Sequence, residues 1–276
     1  MRGVTVRDAL DGARTAIGAS GSQSPALDAE LLLAFALDVD RAALITDPQR
    51  EVVGPPVRVF QDLVRRRSVG HEPVAYLVAS KGFRSIELAV DSRVLVPRPE
   101  TELLVELALG LPQAARVLDV GSGSGAVALA LKQERPDLLI SGSDISAAAI
   151  ELARGNARRL QLDVEFLEAD LLVGLGTGWD AILSNPPYIA ESERSTLPID
   201  VIGHEPELAL MAGADGLDVI RPLIIAAAQS EARLLAIELG AGQASTVAEL
   251  VAAAGFTNVV AHADLAGIER VVVGER

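Results

Sequence analysis

The sequence predicts an α/β chain: a seven-stranded, doubly wound, mostly parallel sheet preceded by a small helical domain and a β-hairpin linker. Three observations carry that expectation. From Arg116 onward, strand-like apolar runs alternate with amphipathic helical runs, the pattern of a parallel sheet covered on both faces. A glycine-rich turn, Gly121-Ser122-Gly123-Ser124-Gly125, follows the first of those runs and opens a helix. Up to about residue 75 the apolar spacing is helical only.

Taken in order, helices are expected at 5–17, at 26–37 with Ser24-Pro25 as cap and first turn, and at 56–67. Over 81–96 the period changes. Phe83, Ile86, Leu88, Val90, Val94 and Val96 are mostly spaced by two, with Asp91-Ser92 as turn residues, so a hairpin is expected there. An amphipathic helix should follow Pro97 and Pro99, over 100–109. Strands are then predicted at 116–120, 138–143, 164–168, 179–184, 233–239, 257–261 and 270–273, the last two close enough to form a hairpin. Helices fill the gaps at 126–133, 147–160, 217–228 and 245–253. The expected domains are 1–77 (helical), 78–97 (hairpin linker) and 98–276 (the sheet domain). No internal repeat or low-complexity tract is visible.

Composition narrows the chemistry. Half of the 276 residues are hydrophobic, enough for one large core and a smaller one. No apolar run reaches the roughly 18 residues of a membrane span, and Met1-Arg2-Gly3-Val4 lacks the layout of a secretory signal. A soluble, cytoplasmic protein without membrane contact is therefore expected. The absence of cysteine excludes disulfides, thiolate metal sites and cysteine nucleophiles, and three scattered histidines argue against a metal centre. A net charge of -14 opposes wrapping a nucleic-acid backbone, whose affinity comes largely from Lys and Arg. The one basic run, Arg65-Arg66-Arg67, reads as a solvated helix face.

Gly121 to Gly125 stand at the carboxyl end of the first sheet strand, where doubly wound sheets bind ligands and where glycine lets the backbone approach one closely. The spacing is not the Gly-x-Gly-x-x-Gly of pyrophosphate-binding dehydrogenases, so a nucleotide-like cofactor lacking a diphosphate is expected. Asp144 ends the second strand, where a carboxylate can accept from both ribose hydroxyls. The plainer reading is a helix cap beside Ser146. Asp170 closes the third strand and could face an adenine or simply form a turn.

The fourth strand delivers Asn185-Pro186-Pro187-Tyr188 to the same edge. Two prolines fix φ near -65°, remove two N–H donors and hold Asn185 extended. The Asn185 side-chain oxygen and the Pro186 carbonyl can then accept the two N–H bonds of a substrate NH₂ group, with Tyr188 as a stacking face. Such acceptors suit methylation of a planar amide or amino nitrogen, because they bind more strongly as positive charge grows on nitrogen. The plainer reading is a stiff turn after a buried strand.

With these residues in view, the chain resembles the release factor glutamine methyltransferases. Asn-Pro-Pro-Tyr alone is shared with amino-methylating enzymes of DNA and RNA. The more selective segments are Glu72-Pro73-Val74-Ala75-Tyr76-Leu77, Val96-Pro97-Arg98-Pro99-Glu100-Thr101-Glu102, Glu205-Pro206, Leu208-Ala209-Leu210, Gly213, Asp215-Gly216-Leu217, Glu238-Leu239-Gly240 and the run from Asp264 to Arg270. The resemblance implies a Rossmann-like methyltransferase sheet and S-adenosyl-L-methionine as cofactor, held by Gly121, Ser122, Gly123, Ser124, Gly125, Asp144, Leu171 and Asn185. It implies Asn185, Pro186 and Tyr188 as catalytic residues, and Asn185, Pro186, Pro187 and Tyr188 as the grip on a glutamine amide in the Gly-Gly-Gln motif of peptide chain release factors. Leu171 stands where relatives often carry an aromatic residue, and Lys81-Gly82-Phe83-Arg84-Ser85 departs from the family's hairpin. Glu102 is expected to start a helix, whereas Thr101 could start it or close over the cofactor. The N-terminal helices are expected to recognise the release factor body. Alternatives are a nucleic-acid amino methyltransferase and, less favoured, a non-catalytic nucleotide-binding module.

Overall fold

The computed structural model describes residues 4–276 and divides into two compact units. One comprises the chain up to Ser80 together with Pro198–His204, and the other Lys81–Leu197 with Glu205–Arg276. Met1, Arg2 and Gly3, part of the N-terminal reading, lie outside the described residues. Among the described residues no helix is long and apolar enough to cross a membrane.

In the first unit, β1 (Val4–Thr5) pairs antiparallel with β2 (Glu51–Val52) beside five helices: α1 (Val6–Ala19), α2 (Pro25–Leu37), α3 (Arg41–Thr46), α4 (Pro55–Ser68) and α5 (Val74–Leu77). A capping box starts α1: the Thr5 hydroxyl accepts from the Asp8 amide (3.2 Å) and the Asp8 carboxylate accepts from the Thr5 amide (3.1 Å). Val6, Ile17, Leu32, Leu33, Phe60 and Leu63 form the core. Burying each such side chain contributes about 2 kcal/mol.

The second unit, from Lys81 on, carries the hairpin of β3 (Ser80–Phe83, which starts one residue earlier) and β4 (Ile86–Ala89), then α6 (Glu102–Ala108). Next come β5 (Arg116–Val120), α7 (Ala126–Glu134), β6 (Leu139–Asp144), α8 (Ala147–Leu160), β7 (Glu165–Glu168) and β8 (Ala181–Ser184). After β8 the chain lends α9 (Ile199–His204) to the first unit. It closes with α10 (Ile220–Gln229), β9 (Leu234–Glu238), α11 (Ala244–Ala253), β10 (Thr257–Ala263) and β11 (Glu269–Glu275). The seven-stranded sheet has the order β10-β11-β9-β8-β5-β6-β7, parallel from β9 to β7 and antiparallel at β11. Chain direction across the sheet reverses at β5, which leaves a crevice outside its carboxyl end.

Four local expectations need correction. The hairpin turns at Arg84-Ser85, not Asp91-Ser92: Arg84 takes a left-handed backbone (φ 47°), its amide donates to Glu102 (3.1 Å), and its guanidinium reaches Glu134 (2.8 Å) and Glu106 (3.1 Å). Three carboxylates of helices α6 and α7 thus select the turn. The helix expected at 100–109 begins as a 3-10 turn, Pro99–Thr101, before α6. Ser24 does stand at the N-cap of α2, but its hydroxyl makes no capping bond and donates instead to the Asp28 carboxylate (3.0 Å).

The arginine run is the fourth. Arg65 does lie on the surface with Asp62, and Arg66 pairs with Glu72. The Arg67 side chain is only 11% exposed, set between Asp28 (2.9 Å) and Asp200 of α9 (3.1 Å), and Asp28 is itself buried. Removing one partner of a buried pair strands the other's charge. Arg67→Ala should therefore lower unfolding free energy by about 3 kcal/mol, against less than about 1 kcal/mol for Arg65→Ala. Urea unfolding of the two variants checks this; equal losses would refute the burial argument.

Candidate active site

Parallel register sets the site. Val120 pairs with Ser143 on β6 and with Ser184 on β8, so three strands end level and their loops leave side by side. The Ser184 hydroxyl donates to the Val120 carbonyl (2.7 Å), tying two of the exits together. The Gly121 and Ser122 amides donate to the Ser143 carbonyl (2.8 and 2.9 Å), which curls the glycine loop over β6.

A cleft of about 230 Å³ opens at this edge. Its floor is Asp119 to Ser124, with Asp144, Asp170 and Leu171 on one side and Asn185, Pro186 and Pro187 on the other. The rest comes from the segment after the hairpin, Arg93 to Leu95, Pro97 and Thr101, and from Pro206, Leu208 and Ala209. Gly121, Gly123 and Gly125 all have positive φ (74°, 54° and 82°). A Cβ on Gly121 would meet only the Asn185 carbonyl at 3.9 Å and one on Gly123 nothing within 4 Å, so these two keep space in the cleft that a side chain would occupy. Gly125 serves differently. It is not among the lining residues, and a Cβ there would stand 2.8 Å from the Phe166 ring.

Asp144 is half-buried at the end of β6. Its carboxylate accepts from the Gly123 amide (2.9 Å) and the Ser146 amide (2.9 Å), while the cap of α8 is Ser146, which accepts from Ala149 (3.2 Å). Burial raises the Asp144 pKa. Asp119 is fully buried one strand over; desolvation, opposed chiefly by the Ala128 amide that donates to its carboxylate (3.3 Å), pushes it up to about 7. Leu171 takes a left-handed backbone (φ 52°), an uncommon state for a residue with a side chain.

Asn185 leaves β8 with its side-chain Nδ2 donating to the Thr101 hydroxyl (3.0 Å). Tyr188 differs from expectation: it is absent from the cleft lining and packs on the sheet core, its ring 3.2 Å from where a Cβ of Gly240 would stand. Its carbonyl accepts from Gln243 Nε2 (3.0 Å) and would lie 2.3 Å from a Cβ on Gly216. Burial, reinforced by Glu238, pushes its phenol up to about 12, so it stays protonated. Asp119, Glu238 and Gln243 carry no role at the sequence level and Thr101 an open one; the signal for Asp119 is its place beside the glycine loop and for Thr101 and Glu238 their family-like segments, while Gln243 has none. Among the described residues no cluster of three or more His, Asp or Glu could hold a metal ion.

Residues 99–207 match the family model of the methyltransferase small domain, and residues 8–78 that of the PrmC N-terminal domain. The release factor glutamine methyltransferase of Koribacter versatilis is 39% identical over 99% of this chain and 99% of its own length. The chain belongs to the release factor glutamine methyltransferase family. The family member from Deinococcus radiodurans is 40% identical over 98% of each chain. Two solved structures share the fold. They are the hMettl16 catalytic domain in complex with MAT2A 3'UTR hairpin 6 (TM-score 0.57, 16% identity, 80% of this chain and 81% of that one) and a methyltransferase from Pyrococcus furiosus (TM-score 0.51, 15% identity, 68% and 87%). As a member of this family the protein is a methyltransferase that uses S-adenosyl-L-methionine.

Asp119 yields a stability test. Its folded pKa, about 7, lies above the unfolded 3.8, so the folded state holds the extra proton between them and stability falls as pH rises through that window. Without cofactor, Asp119→Asn should flatten this fall by a few kcal/mol. Melting curves from pH 4 to 8 check it; parallel curves for variant and wild type would contradict a neutral buried Asp119.

Proposed function

We propose that the chain transfers a methyl group from S-adenosyl-L-methionine to the side-chain amide nitrogen of a glutamine in the Gly-Gly-Gln motif of peptide chain release factors. The observation that carries this is one cleft lined by both the glycine loop with Asp144 and the rigid Asn185-Pro186-Pro187 turn. The names of the relatives, which span nearly the whole chain, support the release factor as substrate.

The residues fit the cofactor. Gly121 and Gly123 leave backbone-lined space, Asp144 offers carboxylate oxygens to a ribose diol, and Leu171 with the segment after the hairpin offers apolar surface to an adenine. When bound, S-adenosyl-L-methionine supplies a methyl group on a positively charged sulfur. Asp144 on the lining, and Asp119 once ionised, favour a cationic ligand there.

An amide nitrogen is a weak nucleophile, its lone pair being shared with the carbonyl. Asn185 Oδ1 and the Pro186 carbonyl accept its two N–H bonds and favour a pyramidal nitrogen whose lone pair faces the methyl. Their hold strengthens as charge develops, so it lowers the barrier and not only the binding energy. The proline pair fixes that geometry beforehand. The proton shed by the alkylated nitrogen is acidic and leaves to solvent without a strong base. Tyr188 and Pro187 brace the turn, and a phenol held near 12 is no base at neutral pH. The helical unit supplies recognition area, since a tripeptide alone buries too little surface for selectivity.

Incubation with methyl-labelled cofactor and, separately, a release factor and an oligonucleotide should label only the release factor, at glutamine; label in the oligonucleotide alone would overturn the reading. Asn185→Ala should cut turnover by roughly 100-fold or more while cofactor affinity, read by calorimetry, changes little. Full activity in that variant would sink the acceptor mechanism. Deleting residues 1–77 should spare cofactor binding and abolish methylation of intact release factor; unchanged methylation would remove the helical unit from recognition.

A further inference from the structure

The two ends of an asparagine amide have nearly the same shape and opposite hydrogen-bonding character: one donates twice, the other only accepts. For Asn185 the difference is decisive. An oxygen facing the cleft accepts from a substrate NH₂ group, whereas an inverted amide would set donor against donor. Something must choose the orientation.

Asn185 Nδ2 is 3.0 Å from the Thr101 hydroxyl oxygen, and Thr101 is 4% exposed, so little water competes for it. Next to Thr101 stands Glu238, at the end of β9 and 1% exposed, whose charged form the Thr101 hydroxyl stabilises by hydrogen bonding. Its Oε2 has no hydrogen-bond partner among the described residues. A hydroxyl has one proton. A carboxylate has none to offer, so an ionised Glu238 draws the Thr101 proton toward itself and leaves lone pairs for the Asn185 NH₂ group, which donates to Thr101. Those lone pairs admit the NH₂ end and reject the oxygen. Resting on the methyl-transfer reading above, we propose that Thr101 and Glu238 are positioning residues that turn the Asn185 side-chain oxygen toward the substrate nitrogen. Glu238 is not among the cleft-lining residues and acts only through Thr101.

The device has a pH signature. Burial pushes Glu238 up to about 7; the charges facing it are Glu100, which adds to that rise, and Arg270 and Arg98, which oppose it, with the neutral Tyr188 phenol alongside. Once protonated, Glu238 can donate to Thr101, the chain can run in either direction, and the orientation of Asn185 is no longer enforced. Turnover should therefore rise as pH increases through about 7.

The test uses the full chain with Thr101→Val, Thr101→Ser and Glu238→Gln. Thr101→Val should lower kcat roughly ten- to 100-fold, with cofactor affinity within about threefold of wild type. Thr101→Ser should recover most of that loss, which a packing role for the methyl group would not allow. Glu238→Gln should remove the pH step. Independently of turnover, the Asn185 side-chain NH₂ signals in ¹⁵N-labelled protein, assigned by their loss in Asn185→Asp, should be slowed in exchange by Thr101 and released in Thr101→Val. Wild-type kcat in Thr101→Val, an intact pH step in Glu238→Gln, or unchanged NH₂ signals in Thr101→Val would each overturn the proposal. If wild type labels no release factor, the proposed function fails, and the NH₂ signals still decide the orientation.

Discussion

The reversal of chain direction at β5 governs this molecule. Because β6 and β8 hydrogen-bond to opposite sides of β5 in parallel register, Val120, Ser143 and Ser184 end level, and the loops that follow them emerge from one edge. The loops that line the cleft are neighbours through the sheet before any ligand arrives. In-line transfer needs donor and acceptor sites held within fractions of an ångström, and a ladder of backbone bonds does that better than flexible loops.

What the sheet does not hold, distant segments brace. The buried Glu205 accepts from the Val96 amide (3.4 Å) and from Arg98 (2.6 Å), joining the Pro-Arg-Pro run to the strap after the Asn-Pro-Pro turn. Ile189 and Leu210 to Ala212 exchange backbone bonds, and Gly216 with Gln243 closes on the Tyr188 carbonyl. The fully buried Asn156 bonds both Ala89 of the hairpin (3.0 Å) and the Ser124 carbonyl (2.9 Å), so the hairpin also stiffens the glycine loop. Each brace satisfies a backbone group at a place where the chain is irregular and the regular ladder cannot.

Acidity, which at the sequence level speaks against a nucleic-acid backbone, has a second face. Asp119 and Glu238 are buried carboxyls, and burying charge is costly unless a partner offsets it. For Asp119 the partner expected on the proposed function is the cofactor's positive charge; for Glu238 it is the Thr101 proton. Groups held at the edge of ionisation by their surroundings tend to gather where chemistry is done.

Legible in the residues alone were the layers, the order of elements after Arg116, the glycine loop, the place of Asp144 at a strand end and the Asn-Pro-Pro turn. Each is written in local signals: apolar period, glycine clusters, paired prolines. Hairpin register escaped them, since the alternation from Phe83 to Val96 fits two turns and only carboxylates on α6 and α7, brought close by packing, chose Arg84-Ser85. The burial of Arg67, the packing of Tyr188 off the cleft and the pairing of Asn185 with Thr101 were decided by tertiary structure alone. These depend on contacts between residues far apart in the chain, and a hydrogen bond or a buried charge is a property of the pair, which neither residue's local pattern encodes.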